Sequence, residues 1–256
     1  GSVTSITIGA DGLGLISYYD WGNGNLKVAH CSNTMCTLAT TSTIDSNSVA
    51  FTGMLYQTSI TIGADGLGLI SYFDSLNKNL KVAHCDNAAC TSATISTLDS
   101  DGDVGKETSI TIGADGLGLI SYRDQTNKNL KVAHCDNAAC TSATISTLDS
   151  DGSVGTDTSI TIGADGLGLI SYYDFTNTAL KVAHCSNTMC TLATTSTIDS
   201  DRISFSGWGY NTSITIGADG LPLISYIQLK EIGVADGNLK VAHCDNAFCS
   251  PYFRRR

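Results

Sequence analysis

The stretch Ser5-Ile6-Thr7-Ile8-Gly9-Ala10-Asp11-Gly12-Leu13 decides the fold, because it returns with its serine at Ser59, Ser109, Ser159 and Ser213. The intervals are 54, 50, 50 and 54 residues, so the 256-residue chain is one unit copied five times. Ile6 and Ile8 alternate with Ser5 and Thr7, the period of a half-buried strand. Asp11-Gly12 is a strong hairpin signal. Reading outward, Leu13 to Tyr19 is almost continuously apolar, as a strand covered on both faces would be. A polar loop through Asn23, Gly24 and Asn25 leads to a third strand, Leu26 to Cys31. A Thr-rich fourth strand is expected over Cys36 to Ile44. No window carries a helical period.

Four-stranded units of this length, repeated five times, predict an all-β fold: a five-bladed β-propeller of four-stranded antiparallel blades. It forms a single domain, 1–256, with repeat units 4–57, 58–107, 108–157, 158–211 and 212–256. A β-solenoid is the competing architecture, but its coils are shorter and lack two tight hairpins each. The last blade is expected to be incomplete, since Ser250-Pro251-Tyr252-Phe253-Arg254-Arg255-Arg256 stands where the fourth strand should follow Cys249. Its open edge is a place where a homo-oligomer could form.

Composition narrows the function classes. Lys plus Arg is 14 against 24 for Asp plus Glu, a net charge of −10, which argues against nucleic-acid partners. No apolar run reaches 18 residues, so no membrane insertion by a helix is expected. No basic segment followed by an apolar run opens the chain, as expected of a secreted protein whose signal peptide is gone.

Every histidine (His30, His84, His134, His184, His243) stands in the string Leu-Lys-Val-Ala-His-Cys, and every cysteine belongs to a Cys-x4-Cys pair. The pairs are Cys31/Cys36, Cys85/Cys90, Cys135/Cys140, Cys185/Cys190 and Cys244/Cys249. Zinc would accept such ligands, but three of them within seven residues suit it poorly, and the usual Cys-x2-Cys spacing is absent. Disulfides closing the hairpin between the third and fourth strands are the better reading, each stabilising by ~2 kcal/mol in the loop-entropy model. They imply an oxidising compartment. Alternation places His30 with Leu26 and Val28, so a histidine packed between blades is expected. Lys27 and its copies fall opposite Asp20, Asp74, Asp124 and Asp174, predicting an ion pair within each blade. Gln228 replaces that aspartate in the fifth unit, leaving Lys240 without it.

The segments Ser17-Tyr18-Tyr19-Asp20 and Asn23 to Cys31, with their near copies, resemble the secreted bacterial tandem-repeat β-propeller proteins. The resemblance covers almost the whole chain. It implies the propeller and an extracellular or cell-surface setting, and little about activity.

The copies differ in two places. Units two and three, compared over 58–102 and 108–152, differ only at Phe73/Arg123, Ser75/Gln125 and Leu76/Thr126, at the end of the second strand and in the loop after it. The connections between units carry apolar insertions in two cases, with Phe51, Met54, Leu55 and Tyr56, and with Phe205, Trp208 and Tyr210. An up-and-down blade brings both places to one end of the propeller. The expected ligand-binding residues are therefore Tyr19, Trp21, Phe51, Tyr56, Phe73, Arg123, Tyr173, Phe175, Phe205, Trp208 and Tyr210. Together they suggest an extracellular, lectin-like module with a glycan or surface protein as partner. The alternative is a structural or adhesive subunit working through protein–protein contacts.

No catalytic residues are expected, and the chain reads as a non-enzyme. Unique acids stand at Glu107, Asp157, Glu231 and Asp236, but nothing in the sequence marks any two as a pair. No nucleophile elbow or phosphate loop is present. No metal or cofactor is expected either. Calcium is an alternative at Asp99-Ser100-Asp101-Gly102-Asp103, which lacks the later bidentate Glu; a polar turn is the simpler reading.

Overall fold

The computed structural model describes residues 2–46, 57–200, 212–229 and 237–250. Blade one is β1 (Ser2–Ile8), β2 (Gly14–Asp20), β3 (Asn25–Cys31) and β4 (Ala39–Asp45). Blade two is β5 (Thr58–Ile62), β6 (Gly68–Asp74), β7 (Asn79–Cys85) and β8 (Ala93–Asp99). Blade three is β9 (Val104–Ile112), β10 (Gly118–Asp124), β11 (Asn129–Cys135) and β12 (Ala143–Asp149). Blade four is β13 (Thr156–Ile162), β14 (Gly168–Asp174), β15 (Ala179–Cys185) and β16 (Ala193–Asp199). Blade five has three strands among the described residues: β17 (Ser213–Ile216), β18 (Pro222–Leu229) and β19 (Gly237–His243). Each sheet pairs its strands in chain order, all antiparallel, and the first strands of successive blades lie side by side as the inner layer.

Apolar residues meet between blades rather than within them, because the two faces of strands two and three look at different neighbours. The first cluster joins Leu15, Tyr19, Leu26 and Val28 of blade one to Ile60, Ile70 and Tyr72 of blade two. Equivalent residues build the seams two–three, three–four and four–five. A polar latch seals each seam. The aspartate ending the fourth strand accepts from a tyrosine and a lysine of the next blade: Asp99 takes Tyr122 Oη and Lys131 Nζ, both at 2.6 Å. Asp45, Asp149 and Asp199 do the same for Tyr72 and Lys81, Tyr172 and Lys181, and Tyr226 and Lys240. Burial alone would raise Asp99, yet the Lys131 and Tyr122 hydrogen bonds hold its carboxyl below the usual range; Asp149 behaves alike.

These contacts correct two expectations. The lysine does meet the aspartate of its own blade in two cases, Lys81–Asp74 at 2.9 Å and Lys181–Asp174 at 3.7 Å, but its shared partner lies on the preceding blade. Lys240 therefore keeps an ion pair, with Asp199 at 3.2 Å, despite Gln228. Each histidine also does more than pack. His30 Nε2 lies 2.8 Å from Asp11 Oδ2, pinning the first hairpin turn, and the four copies repeat this at 2.7–2.8 Å.

All five cysteine pairs are bonded: Cys31–Cys36, Cys85–Cys90, Cys135–Cys140, Cys185–Cys190 and Cys244–Cys249. Two details differ from the expectation of a bridge that merely closes a hairpin. The second cysteine does not begin the fourth strand, which starts at Ala39 rather than Cys36 in blade one. Asn33 bonds the Thr37 amide through Oδ1 and the Thr37 hydroxyl through Nδ2, and its carbonyl accepts the Cys36 amide. That turn holds Cys36, Cys90, Cys140, Cys190 and Cys249 at φ of 49–53°, outside any strand. The second cysteine is also more than a turn residue. Cys90, Cys140 and Cys190 are 0% exposed and Cys249 is 4%, each packed into the seam with the preceding blade. The bridge thus turns its sulfurs into core.

Candidate functional site

The inner strands of blades one, three and four enter their blades through a β-bulge, visible as a register shift between Ser2 and Ser5 in blade one and between Thr156 and Ser159 in blade four. In blade three the shift falls where Arg123 opposes Lys106. The bulge residue takes a left-handed conformation: Val3 at φ 51°, Glu107 at φ 55° and Asp157 at φ 52°. Residues with side chains of this kind rarely adopt it, and it persists only where the surroundings over-determine it. Here they do. Thr158 Oγ1 donates to the Glu107 carbonyl at 2.8 Å and sits 2.8 Å from Ser121 Oγ. Thr212 Oγ1 donates to the Asp157 carbonyl at 2.9 Å and pairs with Ser171 Oγ at 2.7 Å.

The residue preceding the invariant Thr-Ser therefore stands at the same position in each repeat. It is Val3, Gln57, Glu107, Asp157 and Asn211, different in every copy although the following residues are constant. Glu107 and Asp157 occupy adjacent inner strands and touch: Glu107 Oε2 accepts the Asp157 amide at 2.7 Å. Both residues keep part of their surface open to solvent. Burial pushes the Glu107 carboxyl up, against the opposing charges of Arg123 and Lys106. Asp157 is pushed up further, first by burial and then by the charge of Glu107, with Arg123 opposing. The pair therefore retains a proton above the normal carboxylate range. This is the pairing that the sequence alone did not mark.

Arg123, whose charge acts on both carboxyls, is held by two hydrogen bonds. Its Nε donates to Gln125 Oε1 at 2.9 Å and Nη2 to Ser153 Oγ at 3.0 Å. Lys106 bonds Asp103 at 2.9 Å, with Nζ 5.5 Å from the centre of the Phe73 ring. Phe73 in turn exchanges backbone hydrogen bonds with Tyr19 Oη, at 3.1 and 3.2 Å.

Of the expected binding residues, Tyr19, Phe73, Arg123 and Tyr173 are buried at the ends of their second strands, because those ends face the adjoining blade. They form the walls behind the surface. Trp21 is half-buried beside Tyr19, ring centres 5.9 Å apart. Phe175 is exposed and edge-on to Tyr173 at 6.4 Å. Phe51, Tyr56, Phe205, Trp208 and Tyr210 lie outside the described residues. The five disulfides, Cys90 and Cys190 among their members, sit in the turns at the opposite end of each blade and take no part in this surface. At the Asp99–Asp103 turn, Asp99 Oδ2 is engaged by Tyr122 and Lys131 while Oδ1 accepts the Asp101 amide. Among the described residues no group of three or more His, Cys, Asp or Glu is placed to hold a metal.

The chain matches no protein-family model and no curated protein. It is similar in structure to an α-L-arabinofuranosidase from Lactobacillus brevis, at 13% identity and TM-score 0.55, covering 94% of this chain and 89% of that one. A β-1,3-galactosidase of glycoside hydrolase family 43 aligns at 10% identity and TM-score 0.59, covering 96% and 91%. An endo-arabinase from Bacteroides thetaiotaomicron aligns at 13% and 0.53, covering 94% and 93%. At such identities the likeness establishes the β-propeller. It also corrects the expectation of a non-enzyme: all three neighbours are hydrolases built on this fold, and the absence of a marked acid pair, on which that expectation rested, does not survive Glu107 and Asp157.

Proposed function

We propose that this chain is a secreted, carbohydrate-active propeller that cleaves glycosidic bonds at the Glu107–Asp157 pair. The observation that carries this reading is the placing of two half-buried carboxyl residues side by side, the Glu107 carboxylate accepting the Asp157 amide at 2.7 Å, at the one inner-strand position where every copy differs. Glycoside hydrolysis needs two carboxyl groups with separated proton affinities. Asp157, pushed higher, gives its proton to the glycosidic oxygen as the C–O bond breaks. Glu107, the lower of the two, takes a proton from the water that adds to the sugar carbon. The charge of Arg123 opposes the upward push of burial on Glu107 and favours its ionised form. Trp21 and Phe175 provide aromatic surface for sugar rings.

The five disulfides support an oxidising, extracellular or cell-surface setting, as does the resemblance to secreted bacterial repeat propellers. Arabinose- and galactose-containing oligosaccharides are the first substrates to try, given the names of the structural neighbours. Reducing-sugar release is expected from the native chain and should fall about 10²–10⁴-fold in Glu107→Gln and Asp157→Asn. Binding of the same oligosaccharides should survive in both. Equal release by native chain and variants, or none from any oligosaccharide that binds, overturns the catalytic reading.

A further inference from the structure

Arg123 stands where the other four repeats place Tyr19, Phe73, Tyr173 and Ile227. It is nearly as enclosed as the aromatic residues of that column, with 7% of its surface exposed. Across the β9–β10 ladder its register partner is Lys106, so two cations face each other. In blade one Tyr19 faces Ser2, and in blade four Tyr173 faces Thr156. Directly opposed like charges weaken a sheet, and an enclosed charge without a counterion weakens a core. Stability does not account for this arrangement.

The connections beside the two cations treat them differently. Lys106 receives a carboxylate, that of Asp103, at 2.9 Å. The matching residue of the next connection is Ser153, which offers Arg123 only a hydroxyl, at 3.0 Å. The other bond of the guanidinium goes to the neutral Gln125 Oε1 at 2.9 Å. Its remaining N–H groups, both of those on Nη1 included, donate to none of the described residues, and Arg123 makes no ion pair among them. Glu107 and Asp157 feel its charge from beyond ion-pair distance. The three residues that distinguish unit three from unit two all belong to this arrangement. They are Arg123, Gln125, and Thr126, whose Oγ1 accepts the amide of Asp103 at 2.8 Å.

We propose that Arg123 anchors a carboxylate borne by the substrate, so that the saccharide taken beside Glu107 and Asp157 contains a uronic acid. The inference rests on the hydrolytic reading for the place of the sugar, and on Arg123 for its charge. A planar guanidinium presents paired N–H groups that match the two oxygens of a carboxylate, which an aromatic ring in that column does not. Ser153 holds the side chain without neutralising it, and so leaves the charge for the ligand.

Calorimetric titration tests this in the Asp157→Asn chain, where no sugar is cleaved during the measurement. The probes are short oligosaccharides of galacturonic and of glucuronic acid, in α and β linkage, each beside its methyl ester. At least one acid should bind about 10–150-fold more tightly than its ester. Ser153→Asp supplies the carboxylate that Arg123 lacks; it should abolish that preference and raise the melting temperature. Arg123→Phe, the residue of unit two, should abolish it as well, leaving the affinity for neutral galactose oligosaccharides unchanged. Arg123→Lys should keep part of the preference. Failure of every acid to bind, equal affinity for acid and ester, or a preference that survives both Ser153→Asp and Arg123→Phe overturns the proposal. Each of these results leaves the cleavage of neutral sugars intact. A chain that prefers the acid through Arg123 yet cleaves nothing keeps the anchor and loses the hydrolytic reading.

Discussion

Two positions at the same end of every blade have had opposite fates. The aspartate that ends the fourth strand is the same residue in blades one to four, and each copy receives the tyrosine and lysine of the next blade. The bulge residue that opens the inner strand is Val3, Glu107 or Asp157, and the matching sequence positions in the other two repeats hold Gln57 and Asn211. The first position is constant because it closes a seam, and all seams are alike. The bulge carbonyls of Glu107 and Asp157 are held by Thr–Ser contacts that do not involve their own side chains, so the frame tolerates different residues there, and Glu107 adds one side-chain contact of its own to the Asp157 amide. A repeat protein can specialise at such a position without losing its frame.

The largest effect should come from breaking the latch where it is most enclosed. Asp99→Ala strands Lys131 in a seam where their side chains are only 6% and 11% exposed, and should cost about 3–5 kcal/mol in urea unfolding. Replacing both Cys135 and Cys140 by alanine should cost about 2–3 kcal/mol: the short ring accounts for most of it, and the buried sulfurs for the rest. Asp199→Ala, facing the half-open Lys240, should cost about 1 kcal/mol. Equal losses in Asp99→Ala and Asp199→Ala would mean that the latch is not what binds the blades.

The bulge pair should respond in the opposite sense. Asp157→Asn removes a carboxyl that the fold pushes up, and should raise stability by about 0.5–2 kcal/mol at pH 8 while hydrolysis is lost. The pH dependence separates the two positions. Carboxyls held low, such as Asp99 and Asp149, contribute stability that is present above the unfolded value near 4 and is lost as pH falls through the folded value. Glu107 and Asp157, held high, contribute at low pH and lose that contribution as pH rises through their folded values. The gain from Asp157→Asn should therefore vanish near pH 4 in thermal melts. A gain that is the same at both pH values would contradict the raised proton affinity.

Strands, turns and cysteine pairs were legible because their signals are local: alternation in Ser5–Ile8, the Asp11-Gly12 turn, the fixed Cys-x4-Cys spacing. That Cys90 and Cys190 would be core was not, because only the preceding blade buries them. Nor was the latch, since Lys81 finds Asp45 36 residues earlier, and the nearer Asp74 offered an adequate explanation. Tyr19 and Phe73 read as surface aromatics because they flank a variable loop; only packing shows that they meet each other across the seam between blades one and two. The acid pair lay in between. Its signal was a column of five different residues ahead of a constant Thr-Ser, but joining Glu107 to Asp157 required knowing that inner strands of successive blades are neighbours.

If the Glu107 charge raises the proton affinity of Asp157, carbon-13 titration of the two side-chain carboxyls will show it directly. Asp157 should titrate above the usual carboxylate range in the native chain and move back toward it in Glu107→Gln, where the neighbouring charge is gone. An Asp157 that titrates near 4 in both proteins would contradict its raised proton affinity, and with it the hydrolytic role of the pair.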